Sequence, residues 1–286
     1  MGDTARGSLD DKVWTMGVSR RTLAAGISGV FGGLWASGRP AQAAPAGGLD
    51  QLTLINLSHV NDPATTNVFP GDPAFTLETI ATVPEDGYYL QFVREGEHTG
   101  THWGAPGHFN EGEPLADQME PGDLFRPAVK IDVRAKVADN ADYGVTVDDI
   151  KAWERRHGRI PRESVVILWT GWDAKWGTPE FPNQDADGIL HQPGFSIPAV
   201  EWLIETGRLG QRGGTGTDTF SPDVGIDETY TVSKLVYQQH RISLEILANL
   251  RQLPATGAWI LAGGPIHRNG SGSTATIFGV LQPGRA

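Results

Sequence analysis

Short apolar runs separated by turn residues dominate the chain, and most are too short for helices. Strands are expected over Leu52–Ser58, Phe75–Val83, Tyr88–Glu95 (which alternates in part), Ala128–Val133 and the wholly apolar Val165–Trp169. Three more are expected over Ile242–Leu247, Ala258–Ala262 and Ala275–Val280. Helical spacing is rarer. Thr146 is placed to cap Val147–His157, where Val147, Ile150 and Trp153 recur on one face and Gly158 ends the run. Ser196 is placed to cap a second helix, with Pro198 in its first turn, Val200, Leu203 and Ile204 inward, and Gly207 as its stop. A third is expected over Lys234–Gln239. Strands therefore outnumber helices in a mixed α/β domain.

The first 45 residues read differently. Ser19-Arg20-Arg21 precedes a Gly-rich apolar run, Leu23–Ser37, and then Arg39 and Ala41-Gln42-Ala43. A charged segment, a short apolar one and an A-x-A site make a secretory leader over 1–43, of the twin-arginine type. The run falls short of the roughly 20 apolar residues of a membrane span. An uncleaved anchor or a chance Arg-Arg pair is the alternative. An Ala/Pro/Gly linker over 44–48 leads into one domain over 49–286, with no internal repeat and no second linker. On this reading the protein is exported by the twin-arginine route and is periplasmic or extracellular.

The net charge is -11, and five basic and three acidic residues lie before position 44, so the remainder carries -13. No basic stripe exists to meet phosphates, which excludes nucleic acid as a partner. Cysteine is absent, so neither a disulfide nor a thiol nucleophile is available. No G-x-S-x-G elbow occurs, and Gly213–Asp223 has neither a phosphate-loop lysine nor dinucleotide-binding spacing.

Candidate chemistry concentrates in His98–His108, which reads H-T-G-T-H-W-G-A-P-G-H and holds three of the eight histidines. Imidazole is the commonest neutral ligand for zinc-like ions, and ligands near in sequence converge at little entropic cost. Positions 98 and 102 share a face in a helix and in a strand alike. Gly100, Gly104, Pro106 and Gly107 argue against a helix and for a tight loop. Downstream, Arg241–Leu250 reads R-I-S-L-E-I-L-A-N-L: Ile242, Leu244 and Ile246 face one way, Ser243 and Glu245 the other. A carboxylate inside such a strand is paired, at a rim, or a ligand. Trp103 is expected at a substrate pocket; Trp169, Trp172 and Trp176 either wall that pocket or pack in the core. His59, His157, His191 and His267 carry no partner signal.

These residues resemble the cyclase family, which includes bacterial kynurenine formamidases and isatin hydrolase. Its signature H-x-G-T-H-x-D-x-P-x-H fits His98, Gly100, Thr101, His102, Pro106 and His108. Leu57-Ser58-His59 is similar to the family's opening strand, Phe69-Pro70-Gly71-Asp72 to its first substrate-side loop, and Gly216-Thr217-Asp218 to a G-x-D element. Glu245-Ile-Leu-Ala-Asn249-Leu250 matches E-x-L-x-N-L. The resemblance implies one cyclase-like α/β domain, a central sheet or barrel-like strands flanked by helices, assembled as a homodimer or larger. It implies a divalent metal (zinc or manganese) held by His98, His102, His108 and Glu245, water activated against a small-molecule amide, and Phe69 and Asp218 beside the substrate. Two positions depart. Gly104 stands where the family has an aspartate shared by two ions, so one ion is expected rather than two. Ser233 stands where the family has its proton-transfer histidine, and His240, five residues before Glu245, is either its substitute or a surface or structural histidine. The expected activity is an exported amidohydrolase of the kynurenine formamidase (arylformamidase) kind, acting in tryptophan catabolism. The alternative is a secreted ligand-binding protein on the same scaffold, its catalysis lost.

Overall fold

The computed structural model describes residues 51–282, so the leader and linker expected over 1–48 lie outside the described residues. The strands are β1 (Thr53–Asn56), β2 (Thr76–Ala81), β3 (Leu90–Arg94), β4 (His102–Gly104), β5 (Phe125–Asp132), β6 (Gly144–Val145) and β7 (Val165–Trp169). They continue with β8 (Gly194–Phe195), β9 (Gly214–Thr217), β10 (Ile242–Glu245), β11 (Ala258–Ala262), β12 (Gly272–Thr274) and β13 (Ile277–Leu281). The helices are α1 (Val83–Asp86), α2 (Arg134–Val137), α3 (Val147–His157), α4 (Ile197–Glu205) and α5 (Thr231–Val236). None of them is long and apolar enough to cross a membrane.

Nine strands form one mixed sheet in the order β1-β13-β11-β5-β7-β9-β10-β4-β12. β5, β7, β9 and β10 run parallel at its centre, flanked by antiparallel neighbours. The chain connectivity forces this sheet to curl. β12 and β13 stand seven strand steps apart, about 34 Å if flat, yet only Ala275 and Thr276 join them, a reach of about 10 Å. Bonds across the closed side agree: His59 N–H donates to Thr101 Oγ1 at 2.9 Å, and Ala248 N–H to Leu57 O at 2.8 Å.

Strand alternation divides the core. Val166 and Leu168 of β7 face a layer containing Ile150 and Trp153 of α3, Val200 and Leu203 of α4, and Val232 and Val236 of α5. Val165 and Ile167 face inward with Leu57, Trp103, Leu244 and Ile260. This is why Val165–Trp169 reads as apolar throughout: it is covered on both sides.

α3 begins and ends where its caps predict. Asp149 N–H donates to Thr146 Oγ1 at 3.2 Å, Thr146 N–H to Asp149 Oδ2 at 2.9 Å, and Gly158 closes the helix. α5 lies earlier than expected, over 231–236 rather than 234–239, because its first turn is held from a distance. Asp223 accepts the N–H groups of Val232 (2.7 Å) and Ser233 (3.2 Å). Glycine also concealed two strands. A Cβ on Gly214 of β9 meets Ile242 O at 2.3 Å, and one on Gly272 of β12 meets Trp103 O at 2.4 Å. Backbones pass too close there for any side chain.

Candidate active site

The histidine segment is not a single loop. Residues 98–101 form tight turns, but His102–Gly104 is β4, and Pro106–His108 is a 3-10 turn. β4 pairs with β10 so that His102 lies opposite Glu245, Trp103 opposite Leu244, and Gly104 opposite Ser243. His102 and position 104 thus share one face of the strand, and Trp103 takes the other. Trp103 is fully buried in the inner core. This corrects its expected place at the substrate pocket.

Glu245 ends its strand on a backbone reversal. Ile246 has φ 55°, a conformation costly for a β-branched residue. Thr101 Oγ1 donates to its carbonyl at 2.6 Å, and its own N–H donates to Thr219 O at 3.0 Å. The reversal turns Ile246 into the helix-side layer, opposite Ile242 and Leu244, where unbroken alternation had placed it beside them.

Outer hydrogen bonds fix two histidine tautomers. His102 Nδ1 lies 2.9 Å from Gly100 O, which accepts only, so Nδ1 carries a proton and, in the neutral ring, Nε2 is bare. Nε2 is buried without a hydrogen-bond partner, yet Glu245 Oε2 stands 3.1 Å away. Two acceptors this close require a proton or a cation between them. Glu97 Oε2 accepts from Ser271 Oγ at 2.8 Å, so Ser271 in turn accepts from His98 Nε2 at 2.8 Å, leaving His98 Nδ1 bare. Burial, reinforced by His102 and His108, pushes His98 down to about 2. Burial also lowers His108, against the opposing pull of Glu245. Both rings are neutral near pH 7, the form that binds metals.

These donors suit a divalent cation. Two ligands about 2.1 Å from one ion, at 90–110°, stand about 3.0–3.4 Å apart, and His102 and Glu245 meet that span. The set is nevertheless short. Among the described residues no three His, Asp or Glu side chains stand together as a metal cage. The His98 and His108 rings are stacked, centroids 3.9 Å apart, while His98 and His102 meet edge to face at 4.8 Å.

Gly104, on the same strand face as His102, adds no donor. A Cβ there would meet Tyr237 Oη at 2.0 Å, so the tyrosine occupies the room of the missing side chain. Tyr237 is fully buried, and burial followed by the Glu245 charge raises its pKa well above the usual range.

Above this floor opens a cleft of about 260 Å³, lined by His98, His102, His108 and Glu245 together with Phe69, Phe109, Phe220, Tyr230, Asp72, Ser221 and Ser233. Phe69 lies edge-on to Phe220 at 5.6 Å on the wall of this cleft. Ser221 and Ser233 both donate to Asp223 Oδ2, at 2.9 and 2.5 Å. Their protons are committed there, so toward the cleft they offer lone pairs.

Other expected residues lie elsewhere. His240 pairs with Asp123 (Nδ1–Oδ2 3.3 Å) and is not among the cleft residues, so its position does not support the proton-transfer role. Asp218 is fully buried and accepts from the Thr170 hydroxyl (2.7 Å) and the N–H groups of Gly171 (2.8 Å) and Trp172 (3.0 Å). It ties the turn after β7 and is not among the residues that line this cleft. Burial pushes its carboxyl up to about 6 against these donors. Trp169 and Trp172 pack in the core, and Trp176 stacks on His59 at 4.6 Å. Phe109, Phe220, Ser221 and Tyr230 carried no signal in the chain, since ordinary residues become a wall only through the fold. Tyr237 could have been sought once Gly104 was seen to leave a hole.

A family model described as putative cyclase matches residues 55–224. An isatin hydrolase of Roseibium aggregatum is 32% identical over 212 residues, 70% of this chain and 79% of that protein. Isatin hydrolase A from Labrenzia aggregata, solved bound to benzyl benzoate, is 30% identical with a TM-score of 0.74, covering 82% of this chain and 95% of that one. Isatin hydrolase A from Ralstonia solanacearum is 33% identical, also at 0.74, covering 82% and 93%.

Proposed function

The chain belongs to the cyclase family, and from that premise we propose that it is a metal-dependent hydrolase of a C–N bond in a small aromatic amide. The observation that carries this reading is the approach of His102 Nε2 to Glu245 Oε2 at 3.1 Å, without hydrogen-bond geometry, on the floor of an aromatic cleft. His102 and Glu245 would hold the ion, with the His98 ring edge-on to His102 beside them. When bound it supplies Lewis-acid polarisation of a carbonyl and a lowered pKa for water.

The chain's own groups do the rest. Phe69, Phe109, Phe220 and Tyr230 offer apolar ring faces and edges to a planar substrate. Ser221 and Ser233 accept the substrate N–H, which suits a cyclic amide of the isatin type or a formanilide such as N-formylkynurenine. His108 lines the cleft, is kept neutral by burial, and has no hydrogen bond to its ring among the described residues. With the shared aspartate absent, we assign His108 to proton transfer rather than to a second ion. It takes a proton from the attacking water and returns one to the leaving nitrogen. Hydrolysis of isatin and N-formylkynurenine by metal-loaded protein tests this, with His102→Ala losing both metal and turnover. A non-catalytic ligand-binding reading is favoured by one observation, the filling of the Gly104 site by Tyr237. Saturable binding of these amides without turnover by the loaded protein would select it.

Two further readings belong to this proposal. Export rests on the Arg20-Arg21 leader, and a cell fractionation in which Arg20→Lys/Arg21→Lys traps the precursor supports it. Self-association rests on the β2–β3 hairpin, which exposes Ile80, Leu90, Phe92 and Val93. Phe92→Glu is expected to lower the molar mass in solution to that of one chain.

A further inference from the structure

We propose that Tyr237 Oη is a ligand of the metal centre, seated where Gly104 has no side chain; this rests on reading the site as a metal centre. The first support is position. From an ideal Cβ at residue 104, Oη is 2.0 Å away and Cζ 3.0 Å. In an aspartate the carboxyl carbon lies about 1.5 Å from Cβ and its oxygens about 2.4 Å, so the phenol oxygen occupies the shell of that carboxyl group. Position 104 shares a strand face with His102 and sits two register steps from the His102–Glu245 pair.

The second support is an unmet polar group. Tyr237 is fully buried and its hydroxyl makes no hydrogen bond of good geometry among the described residues, as is true of His102 Nε2. The neighbouring Ser243 hydroxyl accepts from Thr215 Oγ1 at 3.3 Å and offers the phenol only a weak contact. Two orphaned polar atoms on one buried face, next to a carboxylate, are costly together unless a shared partner satisfies them. A cation does so for both.

The third support is rigidity. Tyr237 follows α5 directly, and Arg241 fastens that end by donating to Val236 O at 2.6 Å and Leu235 O at 3.0 Å. Phe109 lies parallel to the Tyr237 ring, with 11° between planes and centroids 6.0 Å apart. The oxygen is held in place before any ion arrives, as a ligand should be. On coordination the Oη–metal bond forms, the Oη–H bond breaks, and the proton passes to buffer.

The test uses Co(II) and Cu(II) alone on the purified 44–286 chain, with wild type, Tyr237→Phe and His102→Ala compared. Wild type is expected to bind one Co(II), and its Cu(II) form to show a visible phenolate-to-copper charge-transfer band. Tyr237→Phe should lose the band and at least about tenfold in Co(II) affinity. Its metal-free stability should be unchanged or higher, because only an unpaired hydroxyl is removed. Unchanged affinity together with an unchanged spectrum in Tyr237→Phe overturns the tyrosine ligand and leaves the metal reading standing. No Co(II) or Cu(II) binding by wild type overturns both.

Discussion

Placing a methyl group at position 104 should strain the protein, and by an amount that depends on one distant atom. In Gly104→Ala the new Cβ meets Tyr237 Oη at 2.0 Å and Cζ at 3.0 Å, against about 3.5 Å or more for unstrained contact. The phenol cannot swing aside cheaply. Its ring is fully buried in the helix-side core, parallel to Phe109, and its backbone is fastened by Arg241. Overpacking of this kind costs about 1–3 kcal/mol, and an overlap above 1 Å on a rigid ring belongs in the upper half. Tyr237→Phe removes the closer atom and leaves the tight 3.0 Å contact. The double variant should therefore recover about 1 kcal/mol or more of the loss, a non-additivity expected of touching residues. Urea unfolding of the 44–286 chain, followed by tryptophan fluorescence, measures all four corners of the cycle. Gly104→Ala within 0.5 kcal/mol of wild type, with additive corners, would refute the packing argument. Gly104→Asp, which looks like a restoration of the family signature, is expected to be less stable still and to gain no activity.

Three other outcomes follow from the same geometry. His108→Ala should lower kcat by about 10²- to 10⁴-fold while metal content stays at the wild-type level; loss of the metal instead would return His108 to the ligand set. Asp223→Asn should weaken binding of N–H amides more than of their N-methyl analogues, since it frees the Ser221 and Ser233 protons; equal loss for both contradicts the acceptor role. Burial pushes Asp149 up, but hydrogen bonds from Lys136, Tyr143 and Thr146 outweigh it and hold the carboxyl at about 2. That stabilisation is present above about pH 4 and lost as pH falls through 2. After discounting for solvent exposure it is about 1 kcal/mol, so the deficit of Asp149→Asn in urea melts should shrink between pH 4 and pH 2.

The chain showed its buried elements well and its site unevenly. β7 and β11 match the apolar runs residue for residue, and α3 matches its Thr146 and Gly158 signals, because burial and capping are local properties. β9 and β12 were hidden because glycine carries no periodicity, although it is there for tight packing. The start of α5 was hidden because Asp223 caps it from outside the segment. The motif His98, His102, His108 and Glu245 was legible, and all four reach one cleft. Register then decided what spacing left open, sending Trp103 to the core and His102 to the site. His240 and Asp218 do not line that cleft, because nearness in sequence to a ligand or motif does not set which way a side chain faces. Ile246 reversed its face through one left-handed residue, which no alternation rule anticipates.

The most direct test is a spectrophotometric assay of isatin ring opening by the 44–286 chain loaded with zinc or manganese, run beside His102→Ala. The account predicts metal-dependent turnover in the wild type, abolished by a chelator, and a loss of at least about 10³-fold in His102→Ala with its bound metal. Absence of turnover on isatin, N-formylkynurenine and related small amides by a fully loaded wild type, or equal turnover by His102→Ala, would contradict it.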